Sequence, residues 1–243
     1  MSYKLLDANG LELDFFSEMS KYAGFLRTSH VSRHLAIYEL YKKTINLPGS
    51  VVEFGIYNGS TFFFLARLVE IFNAAEHEVH HSASRHLFGF DRFSGFKEIS
   101  DKDKTIFPEP SVKRVGGLKS DTTSFQHTLE LLKTESKISH RIHVINGDIE
   151  DTYPKFLTDY SGVRICLAFV DFDLYKPTKI VLDHIFELMV PGGIIVFDEY
   201  SFPDWPGETK AVDEFTSRYG LKMYSIPWTF GSQHNKTHLI ALF

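Results

Sequence analysis

Two short acidic clusters, Asp171-Phe172-Asp173 and Asp198-Glu199, hold the residues best placed to do chemistry in this chain. Each follows a run of β-branched and aromatic residues, Ile165 to Val170 and Ile194 to Phe197, too short for a helix and patterned as a buried strand. The clusters therefore stand at strand carboxyl ends. Between them, Pro177 opens a predicted helix in which Val181, Ile185 and Met189 recur every four residues, and Pro191-Gly192-Gly193 stops it. Strand, helix and strand make a βαβ unit with a right-handed crossover, so both clusters emerge on one edge of one sheet, where open α/β folds bind ligands. Three or four carboxylates crowded there repel one another unless a cation or a shared proton relieves them. Proton removal and cation binding are thus the chemistries on offer.

A second constellation lies upstream, in VVEFGIYNGSTFFFLARLVEIF. Val51 to Phe54 reads as a short buried strand, Gly55 to Gly59 as a turn, and Ser60 onward as a helix with Phe64, Leu68 and Ile71 on one face. Gly55 and Gly59 let backbone N–H groups approach a ligand, and Ser60 or Thr61 can cap the helix. The pattern Glu53-x-Gly55-x-x-x-Gly59-Ser60 is neither G-x-G-x-x-G nor a P-loop. Glu53 would repel a pyrophosphate but suits the ammonium of an amino-acid moiety. Leu87 to Phe90 is the next predicted strand, and Asp91 at its end is placed to accept both ribose hydroxyls of a nucleoside or, alternatively, to cap a helix. Ile142 to Asn146 is a further strand, after which Asp148 either accepts an adenine amine or serves a turn.

The remaining segments frame these residues. Residues 1 to 30 read as an arm or lid, and 31 to 243 as one ligand-binding domain. A helix from Ser32 carries Leu35, Tyr38 and Tyr41 on one side. The stretch from Asn73 to His86, with His77, His80, His81 and His86, reads as a solvated loop more readily than as a metal site. Residues 97 to 120 form a long excursion of a length more often functional than idle. Asp121 caps a helix bearing Phe125, Leu129 and Leu132. Near the end, Glu208 to Tyr219 is a helix with Val212, Phe215 and Tyr219 inward, and strands near 222 to 226 and 238 to 243 make an antiparallel pair.

Composition narrows the classes. With 243 residues, 43% hydrophobic, the chain can bury a large core, and a net charge of −5 recommends no nucleic-acid partner. No apolar run reaches the roughly 18 residues needed to span a bilayer and the N-terminal residues lack a signal-peptide pattern, so a cytoplasmic protein is expected. The single cysteine, Cys166, falls in a predicted buried strand, which suits a structural role.

Taken in order, Glu53-Phe-Gly55-Ile-Tyr57-Asn58-Gly59-Ser60, Gly89-Phe-Asp91-Arg92-Phe93-Ser-Gly95, Gly147-Asp148-Ile149-Glu-Asp151-Thr152, Asp171-Phe-Asp173-Leu-Tyr175-Lys-Pro-Thr178, Pro191-Gly-Gly193 and Asp198-Glu199-Tyr200 resemble the macrocin O-methyltransferase family. The likeness covers roughly residues 30 to 220. It implies an α/β class I methyltransferase, Rossmann-like fold: a seven-stranded, mostly parallel sheet with helices on both faces and a C-terminal antiparallel strand. It implies S-adenosylmethionine as cofactor, magnesium as metal, a sugar or related small-molecule hydroxyl as acceptor, and a homodimer or larger homo-oligomer. Carried over by position, Glu53, Gly55, Tyr57, Asn58, Gly59, Ser60 and Thr61 form the methionine-side turn. Asp91, Arg92 and Phe93 meet the ribose, and Gly147, Asp148 and Ile149 the adenine. Asp171 or Asp173, with Asp198 and Glu199, would ligate magnesium. Glu199 departs from the family, which usually places a second aspartate there.

The mechanism implied is in-line methyl transfer to a metal-chelated hydroxyl, with Asp171 and Asp173 catalytic and Asp173 or a nearby histidine taking the proton. Tyr175, Tyr200, Phe202 and Trp205 would line the acceptor pocket or belong to the core. Two other readings share the glycine turn and the acidic strand end: a nicotinamide-dependent dehydrogenase, and a non-catalytic nucleoside-binding protein.

Overall fold

A computed structural model describes residues 5–6, 9–14, 17, 20–24, 26–73, 85–225 and 240–242. Short strands β1 (Leu5–Leu6) and β2 (Glu12–Leu13) pair antiparallel apart from the main sheet. The sheet holds β3 (Ser50–Phe54), β4 (Leu87–Asp91), β5 (Ile142–Asn146), β6 (Ile165–Val170), β7 (Met189–Phe197), β8 (Met223–Ser225) and β9 (Ile240–Leu242). Its order is β5-β4-β3-β6-β7-β9-β8. Strands β3 to β7 pair parallel, and β9 inserts antiparallel between β7 and β8, so the expected seven strands and single reversed strand are present.

Side chains alternate across the sheet because the strand period is two. Val51, Leu167, Phe169 and Val196 face one core with helices α1 (Thr28–Thr44), α2 (Ser60–Asn73) and α3 (Thr122–Glu135). Val52, Phe54, Ala168, Val170 and Phe197 face the other, with α4 (Ile149–Asp159), α5 (Tyr175–Leu188) and α6 (Pro206–Tyr219). The central strands are buried on both faces, which explains the unbroken apolar run of β6 and the largely apolar β3, where Glu53 is the buried exception. Helix α5 seats Val181, Leu182 and Ile185 in the second core, each worth about 1.5–3 kcal/mol of burial.

The structure corrects several expected boundaries and faces. Helix α5 starts at Tyr175 and ends at Leu188, and β7 begins at Met189, so Pro191-Gly192-Gly193 lies inside the strand rather than ending the helix. On α1 the buried face is Ala36, Ile37, Leu40 and Tyr41, while Leu35 is 53% exposed. On α2, Ile71 is 65% exposed and Phe62, Leu65 and Val69 take the core. In both helices apolar residues lie on more than one side and blur the periodicity, and packing against the sheet selects the buried face. The cap and buried face of α3 are as expected: Asp121 accepts from the Ser124 N–H at 3.0 Å, and Phe125, Leu129 and Leu132 are buried. The histidine-rich stretch lies outside the described residues except for His86, whose ring stacks on Phe88 and His143. No helix among the described residues is long and apolar enough to cross a membrane.

The sheet order reverses direction between β3, which leads outward to β4, and β6, which leads to β7. The crevice at such a switch point is where α/β sheets take ligands. Here it falls between the ends of β3 and β6, at Gly55 and Asp171, whose main chains run side by side: the Asp171 N–H donates to the Phe54 carbonyl at 2.8 Å.

Candidate active site

Two cavities open at this edge. The first, about 330 Å³, is lined by Gly55, Tyr57, Asp91, Arg92, Asp148, Ile149, Asp171, Asp173 and Glu199 among others. The second, about 450 Å³, is lined by Ser29, His30, Arg33, Glu53, Ile56, Tyr57, Asn58, Ser60, Thr61, Asp171, Glu199 and Phe202. Both sizes suit small organic ligands, typically about 300–1,000 Å³. They share Tyr57, Asp171 and Glu199, so a molecule in one reaches a molecule in the other past those three side chains.

The first cavity brings together several of the residues that the resemblance assigns to the cofactor, among them Asp91, Arg92, Asp148 and Ile149. Asp91 ends β4 with Oδ2 accepting from the Tyr57 N–H at 2.7 Å and Oδ1 from the Phe93 N–H at 2.5 Å. Both donors lie on left-handed backbone, Tyr57 at φ 51° and Phe93 at φ 56°, so the carboxylate pins two strained turns. Burial pushes the Asp91 carboxyl up, against those backbone N–H bonds. Phe93 takes part through its backbone alone, because its ring packs in the core against Phe125. Asp148 lies at the opposite wall, paired with Arg92 at 3.3 Å and Lys97 at 3.2 Å, and neither cation had been given that role from sequence. Gly147 precedes it at φ 144° and lines neither cavity.

The second cavity begins at the glycine turn. Glu53 is 1% exposed, its Oε2 has no partner, and burial, then Asp171, pushes its carboxyl well above the usual range. An unpartnered buried carboxyl costs free energy that a cationic ligand group recovers. Asn58 Oδ1 accepts from the Asp121 N–H at 3.0 Å, tying this turn to α3, and Ser60 and Thr61 start α2 beside it. Gly59 sits behind, with space on its Cβ side filled by the Phe63 ring.

The two acidic clusters converge as the βαβ argument predicts. The Asp198 N–H bonds to the Val170 carbonyl, so Asp198 stands beside Asp171. A helix α1 residue lies between them: Arg33 donates from Nη1 to Asp198 Oδ1 at 2.5 Å, from Nη2 to Asp171 Oδ2 at 2.9 Å and from Nε to Thr61 Oγ1 at 3.0 Å. Burial alone would lower the pKa of this guanidinium, but Asp198 and Asp171 outweigh it and raise it. Burial, with Asp198 next, pushes the Asp171 carboxyl well up and the Asp173 carboxyl to about 7. Asp173 sits at φ 62°, a costly backbone for a residue with a Cβ, and lines the first cavity. Burial and Asp198 push the Glu199 carboxyl up to about 11, and its Oε2 is buried without a partner. Glu208 of α6 is fully buried and accepts the Glu199 N–H at 2.9 Å, an acidic neighbour the sequence had assigned only to a helix start.

The magnesium ligand set expected from the resemblance meets this geometry only in part. Its oxygens are hard donors of the right kind. Asp171 and Asp198, however, already hold Arg33, and among the described residues no three His, Cys, Asp or Glu side chains group round a point that would hold an ion. The residues as arranged do not fit a resident metal. Sequence reasoning missed Arg33 because it sits about 140 residues upstream of Asp171, in a helix whose pattern gives no sign of where it docks.

Three expected acceptor contacts are also placed elsewhere. The Tyr175 hydroxyl bonds to Glu214 at 2.8 Å, the Tyr200 hydroxyl to Asp213 at 2.8 Å, and Trp205 packs on Phe96 at 8% exposure, so none lines either cavity. Helix α6 draws the two tyrosines away by offering carboxylates. Phe202 is the aromatic that does line the second cavity. Above the site, residues 97–120 are tied down by the buried Lys113, which donates to the main-chain carbonyls of Asp103 and Asp204, while the Asp103 carboxylate accepts the Tyr175 N–H at 2.7 Å.

A doubly wound sheet with a glycine turn after its first central strand, an acidic second-strand end and carboxylates at the switch point defines the class I methyltransferase fold. The profile described as "Methyltransferase domain" matches residues 52–200, and the chain belongs to that family rather than to nicotinamide-dependent enzymes. It is 23% identical over 175 residues to mycinamicin III 3''-O-methyltransferase of Micromonospora griseorubida, covering 72% of this chain and 63% of that protein. It is 21% identical over 175 residues to 8-demethyl-8-(2,3-dimethoxy-alpha-L-rhamnosyl)-tetracenomycin-C 4'-O-methyltransferase of Streptomyces olivaceus, covering 72% and 60%. The matched stretch thus spans less than two thirds of either relative's length. Among solved structures, the calicheamicin methyltransferase CalS11 superposes with a TM-score of 0.80 at 25% identity, covering 95% of this chain and 85% of that one. The O-methyltransferase NovP shares the fold, with a TM-score of 0.62 at 18% identity over 87% and 79% of the two chains.

Proposed function

We propose that the protein transfers the methyl group of S-adenosylmethionine to a hydroxyl of a sugar-bearing small molecule. The observation that carries this reading is the pair of cavities joined at Tyr57, Asp171 and Glu199. The adenosine end of the cofactor fits the first, with its ribose at Asp91 and its adenine near Asp148 and Ile149. The methionine arm passes Gly55 toward the unpartnered Glu53, which meets its ammonium. The sulfonium methyl then faces Asp173 and Glu199, where the acceptor enters.

Asp173 is the proton acceptor of choice. Arg33 holds Asp171 and Asp198, not Asp173, which leaves the Asp173 carboxylate facing the first cavity. As the acceptor oxygen attacks, its O–H proton passes to Asp173, the C–O bond forms and the C–S bond breaks. The products are a methyl ether, S-adenosylhomocysteine and protonated Asp173. Loss of the sulfonium charge as the new bond forms favours a cavity that excludes water. No step of this reading passes through a metal.

The acceptor class rests on the relatives, which are named for O-methylation of mycinamicin III and of a rhamnosyl-tetracenomycin; CalS11 is also described as a TDP-rhamnose 3'-O-methyltransferase. A nucleotide-linked deoxysugar or the same sugar on an aglycone is therefore the acceptor to try first. The test is calorimetry with S-adenosylhomocysteine and with NADH, followed by methyl transfer from labelled cofactor to a panel of such sugars. Binding of the homocysteine nucleoside but not of NADH, with label on a sugar hydroxyl, is expected. Preference for NADH would overturn the reading.

A further inference from the structure

We infer that Arg33 is the resident cation of this active site and takes the place that a divalent metal would fill between Asp171 and Asp198. The inference rests on the methyltransferase reading for its catalytic meaning, but its structural part stands on three observations.

The first is occupancy. The carboxylate oxygens that face each other across the gap, Asp171 Oδ2 and Asp198 Oδ1, are the atoms that bind Nη2 and Nη1 of Arg33. Magnesium needs its oxygens at about 2.0–2.1 Å in octahedral array, and the same two oxygens cannot close on an ion while a guanidinium spreads them. The planar fork suits two carboxylates on neighbouring strands, which a single ammonium could not bridge equally.

The second is anchoring. Arg33 stands three, four and seven residues before Ala36, Ile37 and Leu40, so its Cα lies along the stripe that packs α1 into the core. Its Nε is held by Thr61 at the start of α2. The arm thus leaves a fixed helix, is fastened partway, and ends in two charge-assisted bonds. Withdrawing it would leave Asp171 and Asp198 facing each other without a counter-charge.

The third is the remaining donor. Glu199 has its N–H fixed by Glu208 and its Oε2 buried without a partner, and it joins no three-carboxylate group among the described residues.

The consequence is a division of labour. Arg33 offsets part of the negative charge that Asp171 and Asp198 bring to the edge, so that an oxygen gaining negative charge meets less repulsion there, and it holds both side chains in place. It is a positioning and electrostatic group, and deprotonation is left to Asp173.

The experiment is a Mn2+ titration of wild-type protein and Arg33→Met, each loaded with S-adenosylhomocysteine, followed by electron paramagnetic resonance of free Mn2+ and by calorimetry. Wild type is expected to take up no Mn2+ at micromolar concentrations, and Arg33→Met to bind it at least about tenfold more tightly. Methyl transfer by wild type is expected to survive EDTA. Stoichiometric micromolar Mn2+ binding by wild type, or loss of turnover to EDTA in protein that still binds the nucleoside, would overturn the inference, and either result stands even if the variant does not fold. A folded Arg33→Met protein that binds Mn2+ no better than wild type overturns it too. Failure to bind S-adenosylhomocysteine would instead strike the methyltransferase reading, with the Mn2+ titration still judging Arg33.

Discussion

Gly55 runs so close to Asp171 that a Cβ built on the glycine would stand 1.9 Å from the Asp171 carbonyl oxygen. The two residues directly follow β3 and β6, and both line the first cavity. Gly55 also sits at φ 96°, so Gly55→Ala is strained twice. It is expected to cost at least about 1–3 kcal/mol from the backbone alone, with more from the forced separation of the strands. Urea unfolding of the variant measures this, and a midpoint equal to wild type would show that the strand ends are free to part.

Asp173→Asn should act on chemistry and not on cofactor binding. The amide keeps the size of the side chain but cannot take the hydroxyl proton, and loss of a general base typically lowers kcat by about 10²–10⁴-fold. Single-turnover methyl transfer and nucleoside calorimetry separate the two effects. Unchanged kcat would move the proton acceptor elsewhere.

Asp91 has a different duty, since its oxygens hold the Tyr57 and Phe93 N–H groups at 2.7 and 2.5 Å while facing the cavity. Asp91→Ala removes both turn contacts and the ribose acceptor together. With hydrogen bonds to charged groups worth about 1.5–3 kcal/mol, affinity for S-adenosylhomocysteine should fall by at least about tenfold, and by less in Asp91→Asn. Equal affinities in calorimetry would remove the residue from the cofactor site.

The His86 and His143 pair, with ring nitrogens 2.9 Å apart, His86 just before β4 and His143 in the neighbouring β5, predicts how stability responds to acid. Burial, then His86, pushes His143 down to about 4, below its unfolded value near 6.5. Because the folded value is the lower one, the unfolded chain binds more protons in between. The stabilisation is present above pH 6.5 and is lost as the pH falls toward 4. Denaturant midpoints between pH 7.5 and 5 should decline, and His143→Phe should flatten the decline; a parallel decline in the variant would assign it to other groups.

Much of the fold was legible along the chain. Strands buried on both faces are mostly apolar runs, and so Val51 to Phe54 (with Glu53 inside it), Leu87 to Phe90 and Ile165 to Val170 stood out with nearly the right ends. The stretch at Pro191-Gly192-Gly193 misled because proline and glycine there lie inside a strand, with Gly192 near the Leu47 side chain, and not at a helix stop. The buried sides of α1 and α2 were not legible either, since apolar residues on several sides leave the choice to what packs against them.

Sequence by itself determined the acidic edge: parallel strands joined by a right-handed crossover must deliver Asp171, Asp173, Asp198 and Glu199 to the same end of the sheet, a consequence of local pattern and chain handedness. Which charge would stand among them was decided only by tertiary structure. Arg33 reaches Asp171 and Asp198 because α1 docks its Ala36, Ile37 and Leu40 against the sheet, and no local propensity encodes that long-range packing. For the same reason Tyr175 and Tyr200, near the acidic edge in sequence, turn to the carboxylates of α6 in space.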